Sequence, residues 1–149
     1  MQQGFKIIGI STHTTNMNNQ SMEDLGKLWK KFYTENIFRK IPNKISEDIL
    51  SVYTDYKSDY KDEYTSIIGV SVSSLDEIPN GMVGREFPSE KFQKFTAKGA
   101  MPEAVGNIWA KIWNKDKELN RKYSYDFEVY GEKSQKPSNA EVDIYISVK

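Results

Sequence analysis

A chain of 149 residues suits one domain, because that size buries roughly 70% of the surface its unfolded form exposes and needs no metal or disulfide staple. Its 21 basic and 21 acidic side chains cancel, so no long-range field draws it to nucleic acid or to an anionic membrane. The absence of cysteine excludes disulfides, thiolate catalysis and cysteine metal sites together, and it fits a reducing cytoplasm.

The opening residues Met1 to Lys6 lack the apolar stretch of a secretory signal, and no apolar run approaches the ~20 residues of a membrane helix. A soluble, cytoplasmic protein is expected. Phe5 to Thr12 then reads as a strand through Phe5, Ile7, Ile8 and Ile10, followed by a polar loop from His13 to Gln20. Ser21 with Glu23 and Asp24 has the form of a helix N-cap, and Met22, Leu25, Leu28, Trp29 and Phe32 make one apolar stripe. Pro42 closes the segment. Ile49 to Tyr56 and Tyr64 to Val72 alternate as a hairpin across the charged loop Lys57 to Glu63, and Ile78 to Gly81 is turn chemistry at the middle of the chain. Phe87 to Ala97, broken by Pro88, reads as another strand ending at Gly99. Pro102 opens a second helix with the stripe Val105, Ile108, Trp109 and Ile112, which the charged residues Lys115 to Arg121 carry to its end. Tyr125 to Tyr130 and Asp143 to Val148 form a last hairpin across residues 131–139.

The pattern from Leu25 to Tyr33, aliphatic, Gly, polar, aliphatic, Trp, any, Lys, apolar, aromatic, returns from Val105 to Trp113. Val52-Tyr53 then matches Val129-Tyr130, and the strands ending at Val72 and Val148 match each other. Two copies of strand, helix, strand, strand follow, at about 1–78 and 79–149. The fold class is α+β, an antiparallel sheet with two helices on one face and a central cleft. Alternation places Leu50, Val52, Ile68, Val70, Phe127, Val129, Ile144 and Ile146 under the helices. The other face is expected to stay open, lined by Ser51, Tyr53, Ile67, Gly69, Glu128, Tyr130, Tyr145 and Ser147.

Glu128 breaks the symmetry of the copies, since Ser51 holds its place in the first. It is either a solvated strand acid or the charge of an aromatic hollow, and nine Tyr and three Trp exceed what a core this size requires. Tyr53, Tyr130 and Tyr145 can meet a ligand or merely cover the sheet. Trp29 and Trp109 lie on the helix stripes, which allows core packing or a ring edge at the cleft. His13 stands alone in a polar loop and is assigned no metal or catalytic role. Asp55, Asp59, Asp62 and Glu63 alternate with Lys57 and Lys61 and lack a calcium-loop Gly, so they read as solvated.

The ordered set of Leu28-Trp29, Val52 to Tyr56, Tyr64 to Gly69, Phe95 with Gly99, Val105 to Trp113, Tyr125 to Tyr130 and Ile144 to Ile146 resembles the GyrI-like small-molecule-binding family. That family includes effector-binding domains of AraC-type and multidrug-responsive bacterial transcription activators, and the similarity is to stand-alone members. The resemblance implies a cleft between the copies in which a buried Glu, here Glu128, meets hydrophobic cations. Its aromatic walls would be Trp29, Tyr53, Phe95, Trp109, Tyr130 and Tyr145. Sequestration or sensing is the leading expectation, with no cofactor, no metal, no membrane and no direct nucleic-acid contact. Some relatives hydrolyse strained cyclopropane toxins with a Glu and a Tyr, which would make Glu128 a general base and Tyr130 or Tyr53 an acid or oxyanion donor. One relative inhibits gyrase, a protein-interaction role for which the balanced composition supplies no acidic surface.

Overall fold

Strands form where β-branched and aromatic residues alternate, and helices where the apolar spacing is three and four. The computed structural model describes residues 4–59, 61–135 and 139–149; the opening residues 1–3 and parts of the 57–63 and 131–139 loops lie outside the described residues. In chain order the elements are β1 (Phe5–Thr15), α1 (Gln20–Thr34), α2 (Ile37–Lys40), β2 (Ile49–Thr54), β3 (Glu63–Val72), β4 (Val83–Phe87), β5 (Phe92–Gly99), α3 (Glu103–Asn114), β6 (Tyr125–Tyr130) and β7 (Ala140–Ser147). Among the described residues no helix is long and apolar enough to cross a membrane.

Several boundaries differ from the sequence reading. β1 runs three residues past Thr12, because Glu63, Tyr64 and Thr65 of β3 supply ladder partners for Thr15, Thr14 and His13. α1 starts at Gln20, so Ser21 lies inside it and is not its cap. Its first turn is tied to β1 instead, where Asp24 accepts hydrogen bonds from Thr14 Oγ1 at 2.8 Å and Gln20 Nε2 at 3.0 Å. Asn36, in left-handed backbone, separates α1 from the short α2. The single strand expected over Phe87 to Ala97 is two strands, β4 ending at Phe87 and β5 starting at Phe92, with Pro88 in their connection. α3 stops at Asn114, and the charged residues after it form turns.

The sheet is antiparallel throughout, in the order β4-β1-β3-β2-β6-β7-β5. In the two halves read from the sequence as a repeat, three strands run in mirrored order, β1-β3-β2 and β6-β7-β5, and the halves meet where β2 pairs with β6. Ser51 pairs with Glu128 at that junction. Ser51 and Glu128, which hold the same place in the two halves read from the sequence, therefore face each other there.

The assignment of residues to faces needs correction. Ile8 and Ile10 of β1 with Ile68, Val70 and Val72 of β3 pack under α1, and Val142, Ile144 and Ile146 of β7 pack under α3. Register sets Ser51 opposite Ile68 and Glu128 opposite Ile144. Ser51, Tyr53, Glu128 and Tyr130 therefore share the helix-covered face. Leu50, Val52, Phe127 and Val129 point away from the helices, with Ile67 and Tyr145. That second face is filled, because Phe87 lies 4.6 Å and Phe92 5.3 Å from Tyr125, ring to ring. β4 and β5 stand at opposite ends of the strand order, yet both reach Tyr125 of β6. The sheet curls around this aromatic core.

Gly9 and Gly69 face each other across β1 and β3 on the curled side. A Cβ on Gly9 would stand 2.0 Å from Ile68 O, and one on Gly69 would stand 2.2 Å from Ile8 O. Backbone cannot withdraw as a side chain can, so Gly9→Ala is expected to cost about 2 kcal/mol or more. Urea denaturation checks it, and a loss below about 0.5 kcal/mol would show that the curl does not require this close approach.

Candidate functional site

β6 lays Glu128 on the helix-covered face where β2 and β6 pair, beneath Trp109 of α3. Glu128 is 2% exposed. Three donors converge on its carboxylate: Trp109 Nε1 of α3 donates to Oε2 at 2.6 Å, Tyr53 OH of β2 to Oε2 at 3.0 Å, and Tyr130 OH of β6 to Oε1 at 2.6 Å. The rings cross between copies. Trp109 meets Tyr53 edge-on at 5.5 Å, and Trp29 of α1 meets Tyr130 edge-on at 4.9 Å. Each half of the chain thus sends a tryptophan onto a tyrosine of the other half.

Burial pushes the Glu128 carboxyl above its ordinary value, while the donors Tyr130, Trp109 and Tyr53 pull it back. Burial and the neighbouring carboxylate hold Tyr53 and Tyr130 well above the usual phenol range, so both remain donors at neutral pH. No cationic side chain pairs with Glu128 among the described residues. The site therefore holds one buried carboxyl group between aromatic donors, with no cationic partner among the described residues.

Of the seven residues singled out in the sequence, Glu128, Tyr53, Tyr130 and Trp109 come together directly, and Trp29 joins them through Tyr130. Tyr145 does not. It lies on the opposite face, stacked on Phe127 at 4.8 Å, because β7 pairs it with Phe127 and not with Glu128. Phe95 of β5 is on the helix side but pairs with Ile144 of β7 and packs into the core under α3, two strands from Glu128.

A second buried network lies beside the first and was not legible in the chain. Arg121, expected at the end of a helix, follows α3 in a turn region and is buried with its side chain 1% exposed. Its guanidinium donates to Asp126 Oδ2 at 2.6 Å and to Asp116 Oδ1 at 3.3 Å. Tyr56 OH also donates to Asp126, and the Ser147 backbone N–H does so at 2.8 Å. The guanidinium lies 4.3 Å from the Tyr123 ring centre and 5.9 Å from that of Trp109. Only the place of Asp126 on the same strand face as Glu128 hinted at this network.

The sequence model of the family described as integron-associated effector binding protein, Cass2, matches residues 2–148. Among full-length relatives the chain is 25% identical over 147 residues to YobU of Bacillus subtilis, a candidate transcriptional regulator; the match covers 97% of this chain and 92% of YobU. Among solved structures it is similar to the integron cassette protein VCH_CASS2 of Vibrio cholerae, with a TM-score of 0.75 and 29% identity over 99% of this chain and 92% of that one. It shares its fold with SAV2435 in a structure bound to tetraphenylphosphonium, with a TM-score of 0.80 and 20% identity over 98% of this chain and 89% of that one.

Proposed function

The chain belongs to the integron-associated effector-binding family, and from that premise we propose that it captures small hydrophobic cations in the cleft between α1 and α3. The observation that carries this reading is the carboxyl group of Glu128, buried among aromatic donors with no cationic side chain against it among the described residues. An organic cation would restore the charge balance that burial disturbs, and each ring it faces would add about 0.5 to 2 kcal/mol. The tetraphenylphosphonium of the SAV2435 structure belongs to the same chemical class. Rings grip by area and charge more than by outline, so the cleft should accept several cations of different shape. With no net charge, the protein is assigned to cytoplasmic sequestration or to signalling through a partner, not to direct contact with DNA. Binding is favoured over hydrolysis because the hydroxyls of Tyr53 and Tyr130 both donate to Glu128, which leaves neither directed at an electrophile.

Tryptophan fluorescence tests the reading with a pair matched in shape and opposite in charge. Tetraphenylphosphonium should quench Trp29 and Trp109 saturably, tetraphenylborate should not, and mass spectrometry should return the phosphonium unchanged. Equal affinity for both ions, or preference for the borate, would refute it.

A further inference from the structure

A groove of ≈480 Å³ opens at the C-terminal end of α1, lined by Phe32, Tyr33, Phe38, Arg39, Glu47 and Ile49 among others. It adjoins the candidate site, since Ile49 pairs with Tyr130 across β2 and β6 and a relay of ring contacts links its mouth to Glu128. Tyr33, 58% exposed at the mouth, stacks on Trp29 at 5.9 Å; Trp29 meets Tyr130 at 4.9 Å; and the Tyr130 hydroxyl holds Glu128 at 2.6 Å. The Trp109 end of the cleft is different, because the buried guanidinium of Arg121 already stands against the Trp109 and Tyr123 rings. The pocket near that end is lined by Asp55, Arg85 and Glu86, so an apolar arm of a guest at Glu128 is better matched by the groove at Tyr33.

We propose that this groove is an outer subsite that takes the uncharged arm of the same cation whose head meets Glu128, so that elongated cations are selected over compact ones. The inference rests on the binding reading above. Its volume falls within the range of small-molecule sites, and Phe32, Phe38 and Ile49 give it apolar walls. Arg39 and Glu47 contribute one charge of each sign, which suits a neutral arm and not a second cationic centre.

Two quaternary ammonium ions that share a head test it: benzyltrimethylammonium, which is compact, and benzyldodecyldimethylammonium, which adds an alkyl arm. Wild type should bind both, the long one more tightly. Tyr33→Ala should weaken the long cation at least about five-fold and leave the compact one within about two-fold, while Tyr33→Phe should keep both. Tyr33 is exposed, so neither change threatens folding. If Tyr33→Ala weakens both cations equally, Tyr33 merely steadies Trp29 and the subsite is refuted while the Glu128 site stands. If it weakens neither, the arm lies elsewhere and the subsite is again refuted. If wild type binds neither cation, the binding reading fails and takes this inference with it.

Discussion

Glu128→Gln should bind tetraphenylphosphonium at least about thirty-fold more weakly than wild type, and should be no less stable at neutral pH in the absence of ligand. The first expectation follows from charge. A guest cation facing the carboxylate is attracted in a medium far less polarisable than water, and the amide leaves only ring contacts to hold it. The second follows from burial. Gln still offers an oxygen to Tyr53 and Trp109, but it removes an ionised group that lies almost wholly out of solvent.

The sign of the pH dependence is fixed by the same burial. The folded-state pKa of Glu128 is raised above its ordinary 4.5, so folding favours the protonated acid. Its contribution to stability is fully present below the ordinary carboxyl value and is lost as pH rises through the raised one. The stability difference between Glu128→Gln and wild type should therefore grow in favour of the variant as pH rises above the ordinary carboxyl value. Cation affinity of wild type should climb over the same window and then level off, because the ionised form is the one that binds. Thermal melts and titrations across that range check both. A variant that loses stability relative to wild type as pH rises would mean that the three donors, not burial, govern this carboxylate, and the case for a charge awaiting a guest would fall.

The repeat and the acid that breaks it were legible because they are local: the Trp29 and Trp109 stripes and the Tyr53 and Tyr130 strands can be laid side by side without knowing how the strands pair. The face of the sheet they share was not. Leu50 and Val52 alternate as cleanly as Ile68 and Val70, and only the register between β2 and β3, which puts Ser51 opposite Ile68, shows that the two apolar sets point to opposite sides. A slip of one residue inverts the assignment, and nothing in the 57–63 loop reveals the slip. Tyr145 was misplaced for the same reason, by its pairing with Phe127. β4 was hidden because Pro88 reads as an interruption within one strand, whereas it belongs to the link between strands at the two ends of the sheet order. The partner of Asp126 could not be read at all, since a charged stretch after a helix looks solvated until the turn folds Arg121 inward.

That inward turn sets the last expected result. Arg121→Met should cost about 3 to 5 kcal/mol in urea denaturation, because it leaves Asp126, itself fully buried, with only the Tyr56 hydroxyl and Ser147 contacts for its charge. Burial pushes the Asp126 carboxyl up, and Arg121 at 2.6 Å pulls it back, so the orphaned acid would have to take up a proton or draw in water. Arg121→Met combined with Asp126→Asn should recover most of the loss, since removing both charges removes both desolvation costs. If the single variant costs less than about 1 kcal/mol, or the double variant is as unstable as the single, the pair is not the internally balanced unit described above. The pair also bears on the cleft. A fixed guanidinium stands 5.9 Å from the Trp109 ring while the same indole donates to Glu128, and Asp126 neutralises that guanidinium on its far side. Two buried acids on one strand face thus differ: Asp126 is paired with the protein's own guanidinium, whereas Glu128 has no cationic partner among the described residues.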